Sequence, residues 1–291
     1  MVKSLLKLSR PIYLVFASLT YSLGAGIAHY LGQTVHIASF GLALLAVLAL
    51  LGAANLFSEY FRLPLLPMAQ GETFRQRECF RVTLMQVSYA GLTLFTVAIL
   101  TMLMTHLLTL STEILLLVVF FLLVAYAVPP LHLSESGYGE LVMALCLGTL
   151  IPVLAFLLQG NQIHRLLSFT TFPLTLLALA YLLVCNFPTF ASDQKLGRHT
   201  LLTRLTWQRA VPIHQFLVLT TFLVFSAAPF LEYPWGMVWP VFLALPVAAI
   251  QMFWLQHIAN GGRSLWKFMT ALASATFSLT AYLLALSFWI R

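Results

Sequence analysis

The only aspartate of the 291-residue chain, Asp193, lies in a polar stretch between two long apolar runs. This stretch, Cys185 to Leu201, also contains Asn186, Lys195 and Arg198. A carboxylate beside cations can hold a phosphorylated ligand, either through the cations themselves or through a metal ion bound to the carboxylate. The residue types therefore predict a site for an anionic, metal-bound substrate.

A second polar set closes an earlier apolar run. Asn55, Glu59 and Arg62 are spaced i, i+4 and i+7, so they share one face of a helix that ends before Pro64. Because each set follows an even-numbered apolar run, we expect both to face the same side of a membrane and to converge on one ligand. Ordinary solvation of two helix ends is the plainer alternative.

The elements that carry these sets are predicted to be transmembrane helices. Hydrophobic residues make up 61% of the chain and charged residues 8%, with a mean hydropathy of +0.95, which no soluble fold could bury. The apolar runs show no period-two alternation, which favours helices over a barrel. The prediction is an all-α bundle, a single transmembrane domain over residues 1–291. Its nine spans lie at about 12–31, 37–57, 83–105, 112–128, 140–159, 166–185, 211–230, 236–257 and 267–289.

The distribution of lysine and arginine predicts the orientation of the bundle. If the N-terminus is cytoplasmic, all of the 15 Lys and Arg residues except Arg165 and Arg291 lie on the inner side. We therefore expect a multi-pass protein of the cell membrane, with the N-terminus and both polar sets cytoplasmic. The net charge of +7 is explained by this topology and by contact with anionic membrane lipid, so no nucleic-acid partner is indicated.

Short motifs along the whole chain resemble one family. Arg10-Pro11 opens the first span, and Pro129-Pro130 is followed by Gly137-Tyr138-Gly139-Glu140. With nine spans and two polar inner loops, the chain is similar to the UbiA superfamily of intramembrane prenyltransferases. Within it, the chain looks most like the menaquinone branch, the 1,4-dihydroxy-2-naphthoate polyprenyltransferases.

The two polar sets coincide with the family's aspartate-rich motifs but depart from them. The first motif, Asn-Leu-x-Asn-Asp-Tyr-x-Asp, meets Asn55 to Arg62, where Glu59 is the one acid and Arg62 replaces an aspartate. The second, often Asn-Glu-Phe-Pro-Asp-Tyr-Glu-Ala-Asp-Lys-x-x-Gly-Lys-Arg-Thr-Leu, meets Cys185 to Leu201 without a gap. There Thr189 replaces one aspartate and Asp193 is retained.

The resemblance implies transfer of a polyprenyl group from a prenyl diphosphate to a lipid-soluble aromatic or quinone-precursor acceptor. It implies Mg²⁺ as cofactor if the site is active. Because only two of the family's carboxylates are left, it implies that a single Mg²⁺ ion is bound. By the resemblance, catalysis and metal binding fall to Glu59 and Asp193. Diphosphate binding falls to Arg62, Lys195 and Arg198. The substrate pocket is formed by Asn55, Tyr60, Tyr138 and Asn186.

Two other readings remain open. The loss of aspartates is equally typical of a catalytically silent paralogue that binds an isoprenoid lipid or a partner enzyme. A transporter is disfavoured, because charged residues in the middle of the spans are missing.

Overall fold

The computed structural model describes residues 5–6, 8–62, 74–160 and 164–291. Throughout these residues the regular elements are helices and no strand is formed, which confirms the predicted all-α class. One isolated backbone bridge, between Ser136 and His199, joins two loops that are distant in sequence.

Nine helices of the described residues are long and apolar enough to cross a membrane, as predicted. Two short helices, Phe190–Lys195 and Leu201–Leu205, lie between the sixth and seventh membrane-spanning helices. In chain order the helices are α1 (Pro11–Tyr30), α2 (Ile37–Tyr60), α3 (Phe74–Met104), α4 (Leu110–Ala127), α5 (Gly139–Leu157), α6 (Arg165–Asn186), α7 (Phe190–Lys195), α8 (Leu201–Leu205), α9 (Trp207–Ser226), α10 (Trp235–Ala259) and α11 (Trp266–Ile290).

Most predicted boundaries lie within a few residues of the helix ends, and two places depart from the prediction for a local reason. The third span is predicted to begin at residue 83, whereas α3 begins at Phe74. The charged residues before 83 end the apolar run, but they do not prevent the helix from extending beyond the apolar layer of the membrane. After α6, Pro188 interrupts the regular hydrogen bonding, and a short turn, Phe187–Thr189, leads directly into α7. Much of the predicted polar loop is therefore helical, and Asp193 lies on α7.

Helix α1 packs between the last helix and the middle of the bundle. The indole of Trp289 on α11 donates to the carbonyl of Ser22 over 2.9 Å. On another face of α1, Gly24 lies so close to the backbone of Pro152 in α5 that any Cβ would collide with it. One continuous core contains buried side chains from all nine spans, while Phe216 and Phe253 project outward and are about two-thirds exposed. Apolar side chains on the outside suit lipid as the solvent.

Helix α5 contains a π-helical segment, Cys146–Leu150. Within this segment Gly148 lies directly against Thr175 of α6, and the hydroxyls of Thr149 and Thr175 are 2.7 Å apart. This close packing aligns the start of α5 with the end of α6. Glu140 and Asn186 consequently face each other at one end of the bundle.

Candidate functional site

A polar cavity of about 410 Å³ lies where the start of α1, the end of α4, the start of α5 and the end of α6 meet. Its volume falls within the roughly 300 to 1,000 Å³ usual for small-molecule sites. The lining combines charged, polar and apolar side chains: Arg10, Tyr13, Tyr126, Ser134, Gly139, Glu140, Met143, Leu182, Cys185, Asn186, Thr189 and Arg198.

Arg10 supplies one cationic group of the cavity wall. It precedes Pro11 and adopts a left-handed backbone, with φ 52° and ψ 65°, which is strained for a residue other than glycine. Its guanidinium donates to the hydroxyl of Tyr126 over 2.8 Å and to Oε1 of Glu59 over 3.1 Å. These two contacts hold the guanidinium in place at the wall, where its remaining N–H groups are available.

Glu59 is a buried carboxylate shared by two arginines. Arg10 contacts its Oε1, and Arg62, one helical turn further along, donates to its Oε2 over 3.0 Å. The Glu59 side chain is only 8% exposed, and a buried carboxylate requires such partners. Glu59 therefore connects the end of α2 to the start of α1.

Asp193 organises the second motif in a similar way. Its Oδ2 accepts a hydrogen bond of 2.7 Å from the Thr189 hydroxyl, four residues earlier. Its Oδ1 lies 3.5 Å from Arg198, whose Nε is 3.8 Å from Glu135. Arg198 Nε is buried and has no hydrogen-bond partner among the described residues, so this guanidinium retains donors for a ligand.

A third contact set closes the cavity from the side of α5. Glu140 accepts hydrogen bonds at Oε1 from the Asn186 side chain and, over 3.3 Å, from the backbone N–H of Leu201. Its other oxygen, Oε2, is buried without a partner within the described part of the chain, and so is the hydroxyl of Ser134. Both residues line the cavity, which therefore offers unpaired polar atoms to an incoming ligand.

The structure thus brings part of the predicted site together. Arg198 and Asn186 line the cavity, and Glu59 and Asp193 lie behind its wall, each holding one of the two wall arginines. Arg62 belongs to the same cluster through Glu59.

The other predicted residues lie elsewhere. Asn55 is fully buried and donates to the Ser9 carbonyl, so it attaches the segment before α1 to α2. Tyr60 lies under Arg81, and the half-exposed Tyr138 lies under Arg204. Lys195 is exposed at the end of α7. Of the residues that the structure describes, these four are not part of the cavity wall.

Sequence reasoning missed ten of the twelve wall residues, among them the polar residues Arg10, Tyr126, Glu140 and Thr189. Arg10 and Glu140 belonged to the motifs that carried the family resemblance, and that signal could have assigned them to the site. Tyr126 gave no signal, because a tyrosine near a span end is ordinary. At Thr189 the sequence indicates only the loss of an aspartate, which gives no signal that the threonine itself lies at the cavity.

The same contacts decide how well the residues fit Mg²⁺. This ion takes near-octahedral oxygen ligands at roughly 2.0 to 2.1 Å. Both oxygens of Glu59 are already engaged by arginines, and both oxygens of Asp193 by Arg198 and Thr189. Across residues 5–6, 8–62, 74–160 and 164–291, no three His, Cys, Asp or Glu side chains form a metal-binding group. As arranged, the carboxylates fit guanidinium groups and do not fit a divalent cation.

Solved structures of known proteins share this fold along nearly the whole chain. A UbiA homologue from Archaeoglobus fulgidus bound to DMAPP and Mg²⁺ matches with a TM-score of 0.63 at 16% identity, over 96% of this chain and 99% of that one. The same homologue bound to GPP and Mg²⁺ gives 0.62 at 15% identity, with the same coverage. A structure of digeranylgeranylglyceryl phosphate synthase gives 0.56 at 16% identity, over 99% of this chain and 97% of that one. At such identities the likeness establishes the fold alone.

Sequence comparison supplies the family. UbiA prenyltransferase domain-containing protein 1 of Dictyostelium discoideum is 30% identical over 104 residues, which are 36% of this chain and 32% of that protein. The alignment thus spans about a third of that relative's length. The model of the UbiA prenyltransferase family matches residues 80–280, well over half of the chain. By the extent of this match the protein belongs to the UbiA prenyltransferase family.

Proposed function

We propose that this protein transfers a polyprenyl group from a prenyl diphosphate to a lipid-soluble aromatic acceptor of the quinone-precursor class, as in the menaquinone branch. The observation that carries the proposal is the cavity at one end of the helical bundle, whose wall presents the guanidinium groups of Arg10 and Arg198. That A. fulgidus homologues of the same fold bind DMAPP and GPP supports this choice of substrate.

The cavity supplies groups suited to this chemistry. A guanidinium makes planar two-point contacts with phosphate oxygens, and Arg10 and Arg198 would hold the diphosphate in this way. When the allylic C–O bond breaks, diphosphate leaves with the electron pair, and stabilisation of this charge is usually the largest catalytic term. An acceptor ring carbon then bonds to the allylic cation and the ring proton departs. Glu140 Oε2, an unpaired oxygen on the wall, is placed to take up that proton.

The remaining sequence assignments enter the proposal with altered roles. Glu59 and Asp193 hold Arg10 and Arg198 in position, and Arg62 adds positive charge behind Arg10. The assignment of Glu59 and Asp193 as catalytic Mg²⁺ ligands stays a prediction. The role of Lys195 in diphosphate binding also stays a prediction. The same holds for the substrate-pocket roles of Asn55, Tyr60, Tyr138 and Asn186. The cytoplasmic location of this end of the bundle is part of the same proposal.

One observation favours a second candidate function. The carboxylates expected to bind metal are engaged in ion pairs and hydrogen bonds within the protein. A silent family member that binds an isoprenoid lipid without turnover would need no free carboxylates. Multiple turnovers by the purified protein would exclude this alternative.

The test is release of diphosphate from labelled geranyl diphosphate by the purified protein in nanodiscs, with Mg²⁺ and an aromatic acceptor present. Asp193→Asn weakens the hold on Arg198 and should lower the rate roughly tenfold or more, because charge-assisted contacts contribute about 1.5 to 3 kcal/mol. Glu232→Gln, which alters an exposed acid at the turn before α10, is the matched control. Unchanged release by Asp193→Asn would refute the site; no release by the wild-type protein would refute the transfer.

A further inference from the structure

We propose that this cavity binds the diphosphate of its substrate through arginine side chains without a divalent cation. The inference rests on the proposed function for the class of ligand, and it concerns how the charge of that ligand is neutralised. It starts from the disagreement between the carboxylates of this chain and a metal site.

Arg62 contributes a second guanidinium to Glu59. In the motif that this stretch resembles, a carboxylate stands where the chain has Arg62, three residues after Glu59. Here the Arg62 guanidinium contacts Oε2 of Glu59 at 3.0 Å, while Arg10 contacts Oε1 at 3.1 Å. Positive charge that a bound cation would bring is thus already supplied by two side chains. A cation at Glu59 would have to displace one of these arginines and would be repelled by the other.

The second motif has also lost one of its aspartates. Thr189 stands where the resembling motif has an aspartate, and its hydroxyl occupies Oδ2 of Asp193. The remaining oxygen faces Arg198 at 3.5 Å. Neither motif therefore presents two free carboxylates to one ion. Instead, the acid of each motif contacts an arginine of the cavity wall, Glu59 contacting Arg10 and Asp193 contacting Arg198.

The two wall arginines, Arg10 and Arg198, retain N–H donors that a ligand can use. Among the residues that the structure describes, Arg10 donates to Tyr126 and Glu59, and a guanidinium has five N–H donors. Arg198 lies at 3.5 and 3.8 Å from its two carboxylates, and its buried Nε has no partner among the described residues. Ser134, on the same wall, adds a buried hydroxyl without a partner. Unpaired donors of two guanidinium groups and one hydroxyl, all facing one cavity, are what a diphosphate group would satisfy.

The experiment measures binding of geranyl diphosphate by calorimetry, with wild-type protein in nanodiscs, first in EDTA and then in excess Mg²⁺. We expect affinities that agree within about threefold, a difference of well under 1.4 kcal/mol. Inorganic diphosphate and geraniol, titrated separately, divide the affinity between the charged head and the chain. Binding that requires Mg²⁺, or no binding in either buffer, would overturn the inference.

Variants make the test specific. Arg10→Gln and Arg198→Gln should each weaken binding in EDTA by roughly ten- to a hundredfold, as expected for lost charge-assisted hydrogen bonds. Arg165→Gln removes the same charge at the far end of α6, where Arg165 lies over Tyr233, and should leave binding unchanged. An equal loss in Arg165→Gln would refute a local role for the wall arginines.

A reverse design asks whether the carboxylates can be restored. In the Arg62→Asp/Thr189→Asp protein, one guanidinium leaves Glu59 and a second carboxylate joins each motif. We expect its binding to weaken in EDTA, because the added carboxylates repel the diphosphate and compete for the wall arginines, and to recover with Mg²⁺. Metal-free binding as tight as wild type would contradict the inference. If the double variant does not fold, Arg10→Lys replaces it, since a lysine keeps the charge but loses the planar fork and should bind less tightly in EDTA.

Diphosphate release, measured in the same samples, separates this inference from the proposed function. Binding in EDTA without any release would support the arginine site and refute transfer. Release that accompanies strictly Mg²⁺-dependent binding would support transfer and refute the arginine site.

Discussion

At the scale of single residues, the site is a set of buried and partly buried charges that neutralise one another. Glu59 lies between Arg10 and Arg62, and Arg198 lies between Asp193 and Glu135. Removing ionised groups from water is costly unless each has a partner, so a pair that loses one member leaves an uncompensated charge and destabilises the fold. The loss of any shared partner should therefore be measurable in stability, apart from any effect on ligand binding.

Glu59→Gln is the direct test of this network. The amide cannot neutralise two guanidinium groups, which are 26% and 29% exposed, so we expect a loss of about 1 to 3 kcal/mol in the free energy of unfolding. Denaturant unfolding in detergent measures it, and Glu232→Gln on an exposed acid should stay within about 0.5 kcal/mol of wild type. Equal stability of the two variants would show that the Glu59 pairs contribute nothing.

At the scale of elements, the π-helical segment of α5 determines how that helix meets α6. Gly148 in this segment lies against the backbone and hydroxyl of Thr175. The contact brings Glu140 and Asn186 within hydrogen-bonding reach, several turns of α6 from Thr175. A single residue without a side chain thus sets the geometry of one side of the cavity.

Gly148→Ala should therefore be disruptive. Its Cβ would fall on backbone atoms of Thr175, which cannot move away as a flexible side chain could, and overpacking of this kind costs about 1 to 3 kcal/mol. The matched control is Gly52→Ala in α2, where a Cβ meets nothing within 4 Å, so stability should be unchanged or higher by up to roughly 1 kcal/mol. Thermal unfolding of both proteins gives the comparison. A fully stable Gly148→Ala protein would contradict the close packing.

Sequence patterns predicted most of the elements because each span is recognisable from its own residues. A run of about 20 apolar side chains needs a membrane, whatever it packs against. The failures lie at the ends of spans: α3 extends back to Phe74, and Asp193 lies on the short helix α7. Polar residues end the apolar signal at these places but do not end the helix.

At the scale of the whole molecule, the asymmetry of charge predicts which end of the bundle faces the cytoplasm. The ends that form the cavity contain Arg10, Arg62 and Arg198, whereas Arg165 starts α6 at the opposite end. Positive residues near span ends are retained on the cytoplasmic side during insertion. We therefore expect the cavity to open toward the cytoplasm.

The native cysteines allow this orientation to be measured. Cys79, near the start of α3, is exposed, whereas Cys146 is buried. A membrane-impermeant maleimide should label Cys79 in inverted vesicles and leave it unlabelled in intact cells, with Cys79→Ser identifying the signal. In that Cys79→Ser background, Ser111→Cys at the other end of the bundle should show the opposite pattern. Labelling of Cys79 in intact cells would reverse the proposed topology.

The all-helical membrane fold, its nine spans and the two motifs that resemble the UbiA family could be predicted without the structure. These properties depend on the length of apolar runs and on short local patterns, which are readable without coordinates. Which charged groups neutralise each other depends on how the helices pack. Arg10 and Glu59 are 49 residues apart in the chain, and Arg198 and Glu135 are 63 apart. A buried ion pair forms wherever packing brings two side chains together, and packing involves helices distant in sequence.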